Sequence, residues 1–410
     1  MQQENGMSEQ STSELDSQLE YIAYSRNTVH SHSPAVQKIF DLALSYIFDA
    51  EDAARSGRPA VWSFGLWETP LIYASGVTPV SFSELGRLGS LETLNTAEDI
   101  YQLPVETCSM IKSTIGEWHL RKDGPITRIL GFSSVCEPYN LAWEVMKDRG
   151  FQVHCIDVIY KGPTCPPERY EDMVHYFVEE LKGTVRWLTG GEPDNEKLSA
   201  EIGKRNELMR KGRKIVELRH KRPLYIRSLA MTYFLAGLGH YFGKPDEYAA
   251  AVDQLLDELE HAPPVPGEDG KVIPLVWAGG RGQEFGVYKA VDDAGGAILG
   301  WVFPSLYPID YREDIDPVEA LARYYLEGQA AGAGVHRRKV IEQQVALTGA
   351  KGILLYGYLG CSFAGVDREM FREYFHKRGT PAISLEGSFQ VGPPTGQLLT
   401  RVKAFVEMLS

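Results

Sequence analysis

The chain lacks a basic excess. Its 42 Lys and Arg against 55 Asp and Glu leave a formal net charge of −13 at pH 7. Phosphate backbones are gripped by basic surface, so nucleic acid is not an expected partner. No apolar run approaches the ~18–20 residues that a membrane helix requires, so no membrane association is expected. Residues 1–18 are polar and acidic without the apolar centre of a signal peptide, and they read as a disordered lead-in. Cysteine is scarce: 5 in 410 residues, an odd number scattered without pairing logic. A disulfide framework is therefore not expected, and a reducing, cytoplasmic compartment is.

What remains is the composition of a soluble globular protein, 43% apolar and 24% charged, in a chain long enough for two or three domains. Strands alternate with helices in two regions, which predicts an α/β fold with two Rossmann-like domains, each a doubly wound, mostly parallel sheet. Residues 19–58 carry apolar positions at helical spacing and form an expected N-terminal helical segment. The first α/β domain is expected over 59–190. A helical insert is expected over 191–262, where no convincing strand occurs and Pro223 marks a break. The second α/β domain is expected over 263–410, after the proline-rich boundary His261 to Gly267.

One arrangement occurs twice. Ile129-Leu130-Gly131-Phe132 leads through a short loop to Cys136, and a helical pattern over Leu141 to Arg149 follows. Ile353-Leu354-Leu355-Tyr356 leads to Cys361, and a helical pattern over Glu369 to Lys377 follows. Cys108 also precedes a helical pattern, with Thr107 as a candidate cap. In open α/β sheets, the strand-to-helix edge is where ligands bind. A helix N-terminus favours the thiolate, the form that ligates metal. The spacings of 28 and 225 residues match neither a zinc finger nor a ferredoxin run. Residue logic therefore leaves two readings for Cys108, Cys136 and Cys361: ligands of one shared site, or small buried hydrophobes. Cys155, inside an alternating strand, and Cys165, in a proline-rich loop, read as ordinary packing or loop residues.

The three-cysteine pattern and its flanks resemble the catalytic-component subunits of the 2-hydroxyacyl-CoA dehydratases and the related benzoyl-CoA reductases. The likeness is carried by Pro70-Leu71-Ile72-Tyr73-Ala74-Ser75-Gly76-Val77-Thr78-Pro79-Val80, by Leu103-Pro104 through Cys108, and by Ser134-Val135-Cys136. It continues in the Tyr176 to Leu188 helix and in Gly360-Cys361 with the tail from Leu385 through Leu409. Ser388 stands where this resemblance leads us to expect an acidic residue after Glu386-Gly387. The resemblance implies one [4Fe–4S] cluster per chain, held by Cys108, Cys136 and Cys361 with one iron left open. It implies a homologous second subunit, as a heterodimer or a homodimer, and an ATP-dependent iron–sulfur activator that injects one electron. The implied substrate is a 2-hydroxyacyl-CoA thioester, dehydrated through a ketyl radical to the 2-enoyl-CoA. A benzoyl-CoA (aryl-CoA) reductase subunit and a non-catalytic electron-transfer subunit are the alternatives.

The resemblance further implies a serine and a glutamate near the cluster, for which Ser63 and Glu84 are the candidates. Each also reads plainly, Ser63 as a strand-end hydroxyl and Glu84 as a helix-start acid. The loop Ala278 to Gly286 lacks both the G-x-G-x-x-G spacing and the Lys-Ser/Thr of a P-loop, and no ATP site is found. It reads as a sheet-edge loop facing the cleft, with Arg281 as a candidate contact for a CoA phosphate. Glu137 reads as a helix-start acid. His30 and His32 read as solvated, His154 as a satisfied strand side chain, and Glu196 to Arg222 as a solvated helix face.

Overall fold

The computed structural model describes residues 20–87, 91–133, 136–162, 164–268, 270–302, 309–328, 334–389 and 394–410. The expected lead-in over 1–18 and the motif residues Ser134 and Val135 lie outside them. Helix α1 (Pro34–Arg55) begins where Ser33 accepts from the Val36 N–H at 3.2 Å and Pro34 supplies a preset φ. It buries Val36, Ile39, Phe40, Tyr46 and Ile47, the positions that recur at helical spacing.

Strands β1 (Ala60–Ser63), β2 (Thr78–Ser81), β3 (Arg128–Phe132) and β4 (Gln152–Ile156) form a parallel sheet in the order β2-β1-β3-β4. The helices of this half are α2 (Thr69–Ala74), α3 (Leu91–Asp99), α4 (Ser109–Leu120), α5 (Glu137–Asp148) and α6 (Pro167–Thr189). Three helices then run without an intervening strand: α7 (Asn195–Lys221), α8 (Ser228–His240) and α9 (Pro245–His261). Strands β5 (Ile273–Gly279), β6 (Gly296–Val302), β7 (Gly352–Tyr358) and β8 (Ala382–Gly387) form a second parallel sheet, ordered β6-β5-β7-β8. Its helices are α10 (Gly286–Asp293), α11 (Pro317–Glu327), α12 (Gly334–Thr348), α13 (Ser362–His376) and α14 (Gly396–Met408). The expectation of two Rossmann-like parallel sheets is met. Buried residues of both sheets, Trp62 and Ile129 with Trp277 and Leu354, join one hydrophobic cluster. Among the described residues, no helix is long and apolar enough to cross a membrane.

The two sheets share one strand order, so each reverses its winding once, between β1 and β3 and between β5 and β7. At such a reversal the loops leave in opposite directions and open a crevice beyond the carboxyl ends of the strands. The fold therefore supplies two crevices, and the site depends on where they meet.

Two sequence readings are corrected. His30 is buried, not solvated: its Nδ1 lies 2.8 Å from the Ser25 carbonyl, and its Nε2 accepts from the Arg227 N–H at 3.1 Å. Burial lowers its pKa to about 3, so the ring is neutral. His32 is exposed, as expected. The charged helix α7 is not solvated throughout. Arg205 and Arg219 are fully buried and donate to the Gly239 carbonyl at 3.1 Å and the Ile226 carbonyl at 2.7 Å. These arginines tie α7 to both ends of α8 by satisfying carbonyls that the folded core has cut off from water. His154 is a satisfied side chain, 3.1 Å from the Thr184 hydroxyl.

Candidate metal centre

Each of the three singled-out cysteines is the residue that caps a helix: Cys108 for α4, Cys136 for α5 and Cys361 for α13. Two of those helices begin earlier than the apolar pattern suggests, at Glu137 rather than Leu141 and at Ser362 rather than Glu369. Pro138 is the cause in α5, because proline suits the first turn, where its missing N–H loses no helix bond. Thr107 is not the cap of α4; Cys108 takes that place. Glu137 stands in the first turn of α5, the helix-start acid expected of it. The Cys361 sulfur accepts from the Ala364 N–H at 3.4 Å.

The loops carrying Cys108 and Cys361 belong to different halves of the fold yet touch. The Ser109 N–H donates to the Leu359 carbonyl at 2.9 Å, and the Phe389 N–H donates to the Ser109 hydroxyl at 3.2 Å. Gly360, at φ +74°, permits the approach, since a Cβ there would lie 2.3 Å from the Glu106 carbonyl oxygen. Cys108 and Cys361 are within hydrogen-bonding reach of each other, and this contact together with burial drives the Cys108 pKa far above the ordinary thiol value. Burial pushes Cys136 up to about 11, against a lowering contribution from the Tyr139 N–H. All three thiols line one cavity of about 360 Å³.

That cavity is the meeting of the two crevices. Phe64 and Gly65 follow β1, Cys136 follows β3, Gly280 and Arg281 follow β5, and Cys361 follows β7; all six line it. Gly279, the last residue of β5, has φ +118°, and a Cβ would fall 2.0 Å from the Tyr356 carbonyl oxygen. Only glycine turns the chain there, so the glycine-rich stretch is the sheet-edge turn that the sequence suggests.

Glu84 lies in the short 3₁₀ turn Phe82–Arg87 after β2, is 1% exposed, and faces the cavity. Arg281 reaches it at 2.9 Å and the His240 Nε2 at 3.3 Å. Arg281 is itself buried, so its charge is committed to Glu84; a contact with a CoA phosphate is not what this geometry supports. His240, at the end of α8, has no sequence signal, being one polar residue at the end of an apolar helix. The cavity does not include Ser63. Its hydroxyl is fully buried at the end of β1, with no hydrogen-bond partner among the described residues. The serine that lines the cavity is Ser83.

Three thiols suit soft metals and iron–sulfur clusters, and a coordinated thiol gives up its proton whatever its unliganded pKa. Among the described residues, no group of three or more His, Cys, Asp and Glu converges closely enough for a single metal ion. A four-iron cluster makes no such demand, since it would take one thiolate per iron, and Cys108 and Cys361, in contact here, would part to reach separate irons. Three thiols on separate loops around one cavity fit that group.

Behind the cavity wall, Glu284 accepts from the Tyr356 hydroxyl at 3.1 Å and from the Ser388 N–H at 3.2 Å. The resemblance leads us to expect an acid at position 388; here the Ser388 backbone meets the carboxylate of Glu284. Burial raises the Glu284 pKa from 4.5 to about 7. The folded chain thus keeps a proton that the unfolded chain loses at lower pH. Its contribution is full below about pH 4.5 and is lost as pH rises through about 7, on the order of 3 kcal/mol at most. Urea midpoints should fall between pH 5 and pH 8, and Glu284→Gln should flatten the fall. An equal fall in both proteins would contradict the assignment.

These features define an open α/β protein whose cleft, at the paired reversals of two parallel sheets, carries three cysteines at helix N-cap positions and a buried carboxylate–arginine pair. A comparison with curated proteins finds no significant match. Residues 69–409 match the family model described as 2-hydroxyglutaryl-CoA dehydratase, D-component, and the chain belongs to that family.

Proposed function

We propose that this chain is a subunit of a radical 2-hydroxyacyl-CoA dehydratase and holds one [4Fe–4S] cluster through Cys108, Cys136 and Cys361. The net reaction converts a 2-hydroxyacyl-CoA to the 2-enoyl-CoA and water. The observation that carries the reading is the convergence, on one cavity, of three cysteines at helix N-cap positions in the two halves of the fold. When bound, such a cluster supplies one-electron reduction and, at an iron without a protein thiolate, a Lewis-acid position for a substrate oxygen.

The chain's own residues bind, orient and handle protons. Glu84 presents a carboxylate to the cavity, held in place from behind by Arg281 and from the side by His240. In this reading it hydrogen-bonds the substrate 2-hydroxyl and carries one proton from the β-carbon to that hydroxyl, which leaves as water. Buried aromatic side chains form an apolar wall along part of the cavity. A homologous second subunit completes the enzyme, and an ATP-dependent iron–sulfur activator supplies the electron, as the family assignment suggests.

The test is anaerobic turnover of a panel of 2-hydroxyacyl-CoA and benzoyl-CoA thioesters, with the second subunit and a reduced activator. Formation of 2-enoyl-CoA from at least one 2-hydroxyacyl-CoA is expected. Ring reduction of benzoyl-CoA without dehydration would assign an aryl-CoA reductase. Electron uptake without turnover of either would assign a cluster-holding electron-transfer subunit.

A further inference from the structure

The inference concerns which acyl chain the cavity accepts, and it rests on the dehydratase reading above. Away from the thiols, its wall is a continuous aromatic array. Phe64 and Phe132 stack at 5.3 Å, Trp67 meets Phe132 at 5.4 Å, and Tyr325 meets Trp67 at 4.7 Å. Ile341 and Leu355 extend the apolar surface. Three arginines also line the cavity, and each already has an acid. Arg281 pairs with Glu84 at 2.9 Å, Arg337 with Asp367 at 2.6 Å, and Arg368 with Glu386 at 3.2 Å. A second carboxylate on the substrate would have to break one of these pairs, or lie without a cation among aromatic carbon and neutral residues such as Ser83 and Tyr160, beside Glu84. Both courses are costly, because one breaks a partly buried ion pair and the other sets a charge against apolar surface. An aryl or branched aliphatic chain instead gains contact with rings already in place, in edge or offset geometry.

We propose that the acyl chain taken by this site is apolar, aromatic or branched aliphatic, and carries no second carboxylate. The test is equilibrium binding to the anaerobically purified, cluster-loaded complex, with the activator omitted so that no turnover occurs. The probes are 3-phenyl-2-hydroxypropanoyl-CoA, 2-hydroxyglutaryl-CoA and free CoA. The phenyl thioester is expected to bind at least about tenfold more tightly than the glutaryl thioester, the scale on which buried polar mismatch discriminates ligands. Phe64→Leu, which keeps an apolar side chain, should reduce that preference at least about threefold. Glutaryl binding equal to or tighter than phenyl binding would overturn the inference and leave the dehydratase reading intact. Neither thioester binding better than free CoA would overturn that reading, and this inference with it.

Discussion

Replacing Cys361 with alanine is expected to take bound iron from about four per chain to near zero, and Cys108→Ala and Cys136→Ala to do the same. The expectation follows from where these cysteines sit: each is the N-cap residue of a different helix, and the three line a common cavity from both halves of the fold. No other described cysteine shares that position. Cys155 lies within β4, and the Cys165 thiol packs 3.8 Å from the Met173 sulfur. Cys155→Ala should therefore leave iron content nearly unchanged. Loss of iron in Cys155→Ala as complete as in Cys361→Ala would refute the ligand set. The measurement is iron and sulfide per chain on anaerobically purified variants, with circular dichroism to confirm that each has folded.

Gly360→Ala is expected to be nearly as damaging, without removing a ligand. At φ +74° an alanine pays about 1–2 kcal/mol for the left-handed conformation. Its methyl group would sit 2.3 Å from the Glu106 carbonyl oxygen and 3.0 Å from the Cys108 N. Backbone is a poor neighbour to displace, and relieving such overpacking costs about 1–3 kcal/mol more. The relief would push the Cys361 loop away from the Cys108 loop, so iron occupancy should fall more than in a control such as Gly379→Ala. Gly379 also has positive φ, at +77°, but a Cβ there meets nothing within 4 Å. The control thus carries the conformational cost without the clash. Equal iron loss in both variants would show that loop contact is not what Gly360 protects.

The positions of Cys136 and Cys361 were legible in the sequence because strand, loop, cysteine and helix occur in order along the chain, whereas Cys108 lies between two helices and showed only the one that follows it. The sheets were legible for the same reason: buried parallel strands such as Gly296–Val302 read as continuous apolar runs. Helix starts were less so. Pro138 and Gly365 resemble breakers, yet both lie within the first turn of a helix whose N-terminal residue follows a cysteine. The Glu84–Arg281–His240 group was the least legible. Glu84 and His240 are 156 residues apart, in segments with no shared periodicity, and only the meeting of the two crevices joins them. The burial of Arg205 and Arg219 escaped for a related reason. Their partners are main-chain carbonyls of distant elements, which no side-chain pattern announces.

The central claim is that Cys108, Cys136 and Cys361 together hold one iron–sulfur cluster. The most direct measurement is iron and acid-labile sulfide content with an EPR spectrum of the reduced protein, purified without oxygen. About four irons and four sulfides per chain, with the signal of a reduced [4Fe–4S] centre, is the predicted result. A folded protein that stays free of iron and sulfide after anaerobic reconstitution would contradict it and return the three thiols to packing residues.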